Sequence, residues 1–177
     1  MTIPPLQMKD DQAVMIGIGE YCVGKSRMSS IGLGSCVALI LYDEPRQTGA
    51  MAHVMLPESR EKESMILPGK FADTAVPELA GKLVEMGARK KSLKCKIAGG
   101  ATMFEIPGAT NKNSILACGP SANIGQRNVE AVKRALSEHG ISLVGEDTGG
   151  KHGRTVRFDT STGEMVVSSI YYGRNTV

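Results

Sequence analysis

Long hydrophobic runs are missing from this 177-residue chain. The longest aliphatic stretch, Val37 to Leu41, falls far short of the ~20 apolar residues that span a bilayer, so no membrane insertion is expected. The opening MTIPPLQMKDDQ carries Lys9 but no apolar segment of the kind a secretory signal needs, which makes the cytoplasm the expected compartment. Paired cysteines are absent too. Cys22, Cys36, Cys95 and Cys118 are widely spaced, with no CxxC and no Cys/His cluster of zinc-ligand spacing, so neither a metal nor another cofactor is expected. Free thiols are favoured over bridges in a reducing compartment. A strong charge of one sign is also lacking, and the net charge of +3 is too small to point to nucleic acid. Two basic stretches, ARKKSLKCK (88–96) and KHGRTVRF (151–158), read as solvated faces able at most to steer an acidic partner. Repeats and low-complexity tracts are not found. The length suits one domain with a sizeable core, residues 13–177, behind an N-terminal extension over 1–12.

What is there is a chain dense in strand patterns. Alternation in AVMIGIGEY (13–21) predicts a first strand; CVALILYD (36–43) and GAMAHVMLP (49–57), joined by the turn-rich EPRQT, predict two more. DTAVPELAGKLVEMGA (73–88) sets Val76, Leu79, Leu83 and Met86 on one helical face, with Pro77 early enough to be tolerated. LKCKIAGGA (93–101) predicts a strand ending in glycines, and the Pro-, Gly- and Asn-rich stretch from Met103 to Pro120 a loop. A second helix is marked by Asn123 and Gln126 as a capping box, by Val129, Val132 and Leu136, and by Gly140 at its stop. ISLVGED (141–147) and a hairpin of RTVRFD and EMVVSSIYY about TSTG follow. Strands outnumber helices about three to one and neighbours look antiparallel, which predicts an α+β layered fold: a mixed, largely antiparallel β-sheet flanked by two main α-helices.

One motif invites a nucleotide. GEYCVGKS (19–26) matches the phosphate-loop pattern GxxxxGK[S/T] after a strand. That chemistry needs the loop to lead into a helix whose amino end faces the phosphates. RMSSIGLGS follows instead, with two glycines and three serines, a poor helix. A strand end turning through Gly24 is the preferred reading.

Cys36 and His53 hold more chemistry. Cys36 follows GLGS and opens an apolar run, where a cysteine by itself reads as a small buried hydrophobe. Its reactivity depends on a base within reach. In an antiparallel pair, opposed residue numbers sum to a constant. A turn about Glu44 and Pro45 gives 89 and sets Cys36 opposite His53; a turn one residue later gives 91, pairs Ala38 with His53, and leaves thiol and imidazole diagonal on one face. Only an even sum separates them, because a one-residue slip flips every side chain. His53 by itself reads as a satisfied core histidine in an otherwise apolar AMAHVML. Together the two residues are what nucleophilic thiol catalysis requires. His139 is explained by a helix's last turn, and His152 sits in a glycine-flanked basic loop.

At these residues the chain resembles a known family. GLGSC ahead of an apolar strand, AHVMLP with its histidine seventeen positions after the cysteine, then PGKFADTAV, KIAGGATMF, NIGQRNVEAVKRAL and EDTGG, in that order over roughly residues 13–170, resemble the chemoreceptor glutamine deamidases, CheD. The resemblance implies an amidohydrolase that converts particular glutamines of methyl-accepting chemotaxis receptors to glutamate, with Cys36 as nucleophile and His53 as general base. The family's third catalytic residue is a threonine six positions before the cysteine, where this chain has Ser30. Backbone amides near Gly34, Ser35 and Cys36 are suited to the developing oxyanion, since glycines let main chain approach closely. The resemblance also implies binding to the phosphatase CheC, with Met103 and Phe104 as a candidate contact surface; the same pair could equally pack beneath the glycine turn. A non-enzymatic chemotaxis adaptor and a nucleotide-binding protein are the competing readings, and a peptidase or transglutaminase would use the same thiol chemistry.

Overall fold

The computed structural model describes residues 13–59, 67–103 and 123–177. Its strands are β1 (Ala13–Met15), β2 (Tyr21–Gly24), β3 (Arg27–Leu33), β4 (Val37–Asp43), β5 (Thr48–Val54), β6 (Lys94–Gly99), β7 (Ser142–Thr148), β8 (Arg154–Asp159), β9 (Glu164–Ser169) and β10 (Gly173–Thr176). Its helices are α1 (Ala72–Glu85) and α2 (Ile124–Glu138).

The α+β class is as the pattern predicts, but the strands divide into two five-stranded sheets, ordered β1-β3-β8-β9-β10 and β2-β5-β4-β6-β7. Pairing is antiparallel except for β1 with β3 and β6 with β7. One face of the second sheet (Leu39, Leu41, Ala52, Val54) packs with α1 and α2 through Val76, Leu79, Val132 and Leu136. Its other face (Ala38, Ile40, Met51, Ala98) packs with Met28, Leu33, Val156 and Phe158 of the first sheet. The layers are thus helices, sheet, sheet. Every residue of β4 and β5 is buried, which is why these strands read as unbroken apolar runs rather than alternating ones.

Several expectations need correction. AVMIGIGEY is not one strand: β1 stops at Met15 and β2 starts at Tyr21, with Gly19 at φ 78 in the turn between. RMSSIGL is itself a strand, β3, its buried serines satisfied by main-chain carbonyls: Ser29 Oγ donates to Val156 O and Ser30 Oγ to Ile16 O. The phosphate-loop reading fails here, because β2 ends at Gly24 and turns directly into β3 with no helix between. Asn123 makes no capping box. It is left-handed at φ 58 with no side-chain cap, and Gln126 reaches forward to Glu130 instead. Met86 is half exposed, since α1 ends one residue earlier. EMVVSSIYY stops at Ser169, leaving Ile170, Tyr171 and Tyr172 exposed before β10. The expected extension over 1–12, Phe104 and Cys118 lie outside the described residues, as does the expected loop beyond Met103. Among the described residues no helix is long and apolar enough to cross a membrane.

Candidate active site

The β4–β5 ladder pairs Ala38 with His53 and ends at Val37 with Val54. This is the register that sums to 91, so Cys36, one residue before β4, is the diagonal neighbour of His53. Diagonal α-carbons stand roughly 7–8 Å apart. By the alternation of β5, His53 shares the face of Met51 rather than that of Ala52 and Val54, and so points between the two sheets. Cys36, half-buried, packs against that same layer.

Ser30 reaches into the layer from the opposite sheet. Its Oγ lies 2.8 Å from His53 Nδ1 and 2.9 Å from Ile16 O. A carbonyl only accepts, so the hydroxyl proton goes to Ile16 O and the ring must supply the other one: His53 carries its proton on Nδ1. Nε2 is then the bare nitrogen, and it is buried without a hydrogen-bond partner among the described residues. The thiol is accordingly not bonded to the ring in this resting state. His53 main chain is held as firmly, its N–H donating to Glu20 O at 3.1 Å and its carbonyl accepting from Gly19 N at 2.9 Å. Burial pushes the His53 pKa below the ordinary histidine value, against a smaller upward pull from Ile16 main chain. Burial pushes the Cys36 thiol up. Both groups are therefore neutral at rest near pH 7.

A bulge leads β3 into the cysteine loop. Ser30 pairs with Val156 but Leu33 with Arg154, so β3 holds one residue more than β8 across this interval. Gly32, at φ 74, takes the left-handed conformation such a bulge requires. The next three carbonyls are all anchored in protein. Gly34 O accepts from Ala101 N at 2.8 Å, Cys36 O from Gly100 N at 2.8 Å, and Ser35 O from Asn128 Nδ2 at 2.9 Å. A Cβ on Gly99 would collide with Cys36 O, and Gly99 and Gly100 both have positive φ, so the glycine pair of KIAGGA is what lets the cysteine loop lie against β6. Gly149 N and Thr102 N, bonded to Gly99 O and Gly150 O, tie in EDTGG. The Met103 side chain lies over Gly34, 3.0 Å from where a Cβ would stand, and is half exposed.

The remaining candidates are elsewhere. His139 follows the last residue of α2, and His152 packs at a tilt against Tyr172, ring centroids 4.4 Å apart. Cys95 is fully buried and outside the reactive range. Much of the basic surface is engaged internally: Lys94 with Glu44, Arg154 with Asp147, and Lys96 with the carbonyls of Gly163 and Val177. Among the described residues no group of three or more His, Cys, Asp and Glu is placed to hold a metal ion. Sequence reasoning passed over two contributors, Ile16 O and Asn128. Only the second left a signal, as a polar residue inside the buried stripe of α2.

Residues 55–169 match the family described as CheD chemotactic sensory transduction. A protein of Thermotoga maritima named chemoreceptor glutamine deamidase CheD is 48% identical over 158 residues, 88% of this chain and 91% of the relative. One from Clostridium botulinum strain Hall, named probable chemoreceptor glutamine deamidase CheD, is 40% identical over 170 residues, 95% of this chain and 99% of the relative. Ranked beside the ordered motifs from GLGSC to EDTGG, these likenesses leave one conclusion: the chain belongs to the CheD family.

Proposed function

We propose that this chain is a chemoreceptor glutamine deamidase, hydrolysing the side-chain amides of particular glutamines on methyl-accepting chemotaxis receptors to glutamate and ammonia in the cytoplasm. Its substrate follows from family membership. The observation that carries the chemistry is the buried His53 ring, fixed at Nδ1 by Ser30 with Nε2 bare on the face where Cys36 lies.

In this reading a rotation about the Cys36 side chain brings Sγ to Nε2, which takes the thiol proton. Sulfur attacks the carboxamide carbon; the C–S bond forms and the carbonyl oxygen takes the negative charge. The oxyanion is met by main-chain N–H groups. In a trans peptide C=O and N–H point oppositely, so with the Gly34 and Ser35 carbonyls turned toward Ala101 and Asn128, the amides of Ser35 and Cys36 face the other way. Loss of one such donor costs about 3–4 kcal/mol of transition-state stabilisation. Collapse breaks C–N as Nε2–H protonates the amide nitrogen, which leaves as ammonia. Water, deprotonated by Nε2, then opens the thioester, releasing glutamate and restoring the thiol. Ser30 keeps the ring in the tautomer both steps use. No metal or organic cofactor enters a step.

CheC is the proposed second partner, over a face that includes Met103 and, in the sequence, Phe104. The support is proximity: whatever covers Met103 also covers the approach over Gly34 to the thiol loop. Added CheC should then slow alkylation of Cys36.

The function is tested by incubating the chain with a receptor cytoplasmic fragment. Ammonia should appear while the fragment gains about 1 Da at each converted glutamine, and prior alkylation of Cys36 should stop both. An unchanged fragment mass would refute the assignment.

A further inference from the structure

The β4–β5 ladder holds His53 against Ala38 and ends at Val37 and Val54, one residue short of Cys36. Beyond that last rung the strands are joined by a side chain. Asn128, wholly buried on α2, donates from Nδ2 to Ser35 O and to Met55 O, both at 2.9 Å. Ser35 immediately precedes Cys36, and Met55 lies two residues after His53. Both partners are carbonyls, so the amide can be oriented only one way. Its own oxygen, Oδ1, is buried without a partner among the described residues. The orphaned acceptor offsets part of what the two donated bonds contribute, while an aliphatic side chain here would take from the Ser35 and Met55 carbonyls the donor they share.

The backbone is arranged to bring this residue in. Gly125, one turn earlier, lies directly on main chain: a Cβ there would stand 2.5 Å from Ala101 O and 2.6 Å from Gly100 O. A Cβ on Gly100 would in turn collide with Val129. The first turn of α2 is thereby seated on the same Gly99–Ala101 segment that anchors the cysteine loop. NIGQRN, read as a cap from sequence, is in the fold a close-packing glycine followed by a buried clasp.

We infer that Asn128 is a positioning residue that sets the separation of Cys36 and His53 by clasping the main chain beside each, an inference that rests on the deamidase reading of the same site. It touches neither reacting group. Its effect passes through Ser35 and Met55 alone.

Asn128→Ala and the isosteric Asn128→Asp test this beside Leu136→Ala, which opens a cavity in the same helix away from the clasp. Assays run well below each variant's unfolding temperature. Both Asn128 variants should lose kcat on the receptor fragment by about 30-fold or more with KM little changed, while Leu136→Ala keeps wild-type kcat. The pH–rate profile of Cys36 alkylation by iodoacetamide, with Cys22 as internal reference, should move in both toward that of His53→Ala. Wild-type kcat and profile in either folded Asn128 variant, or an equal loss in Leu136→Ala, would overturn the inference. Should the variants not fold, NMR of the intact protein decides: the Asn128 side-chain NH2 resonances should exchange slowly and shift when Cys36 is alkylated, and resonances that ignore alkylation refute the clasp. Absence of any receptor conversion by the wild type would count against the deamidase reading, while the alkylation and NMR readouts still decide this one.

Discussion

At His53, burial and hydrogen bonding oppose each other and burial wins, leaving a neutral imidazole beside a neutral thiol. Two consequences follow for pH. If His53 is the base, as proposed, the acid limb of kcat/KM should have its midpoint below 6.5, the ordinary histidine value, because the ring stays unprotonated to lower pH; a midpoint above it contradicts the proposal. Stability has a definite sign as well. The unfolded chain binds a proton at His53 near pH 6.5 and the folded chain only at lower pH, so the stabilisation is complete above about 6.5 and is lost as pH falls toward the folded value. Urea unfolding at pH 7.5 and pH 5 should show a larger acid loss in wild type than in His53→Ala, and equal losses would refute the buried neutral ring. Ser30→Ala should lower kcat by about tenfold, the worth of one neutral hydrogen bond, and less than loss of Cys36 or His53, since Ile16 O remains as an acceptor for Nδ1.

Between elements, glycines decide how closely the pieces fit. Gly125→Ala forces a methyl into the main chain of Gly100 and Ala101 and should cost about 1–3 kcal/mol by overpacking. Gly81 is an exposed interior residue of α1 with nothing within 4 Å of where a Cβ would stand. Gly81→Ala should therefore raise stability by about 0.5–1 kcal/mol. Thermal unfolding of the two variants reads both signs at once, and a neutral Gly125→Ala would show that α2 does not sit on the Gly100–Ala101 main chain as described. These close approaches were not legible in the sequence. The glycines of KIAGGA and NIGQRN were visible, but a pattern of residue types does not say which backbone lies against which. The false cap at Asn123 is a related case: Asn, Gln and their spacing were right, but the Asn123 backbone is left-handed and its side chain makes no cap.

For the whole molecule, periodicity was sufficient to give the α+β class and two helices, expected over 73–88 and between Asn123 and Gly140 and found over 72–85 and 124–138, because each carries an apolar stripe of its own period. Division into two sheets was hidden. β3 is polar at Ser29 and Ser30 and broken by Gly32, so it gives no strand signal, yet it is the strand that carries Ser30 across to His53. The sequence register left two odd sums open and the fold takes 91, which puts thiol and imidazole on one face but diagonal. The whole arrangement thus serves one convergence, a ring held from one sheet and aimed along the face where the cysteine lies. Mass spectrometry of a receptor cytoplasmic fragment incubated in parallel with wild type, Cys36→Ala and His53→Ala tests that convergence directly. Wild type should add about 1 Da per converted glutamine and both variants, folded by circular dichroism, should add none; undiminished conversion by either variant would contradict it.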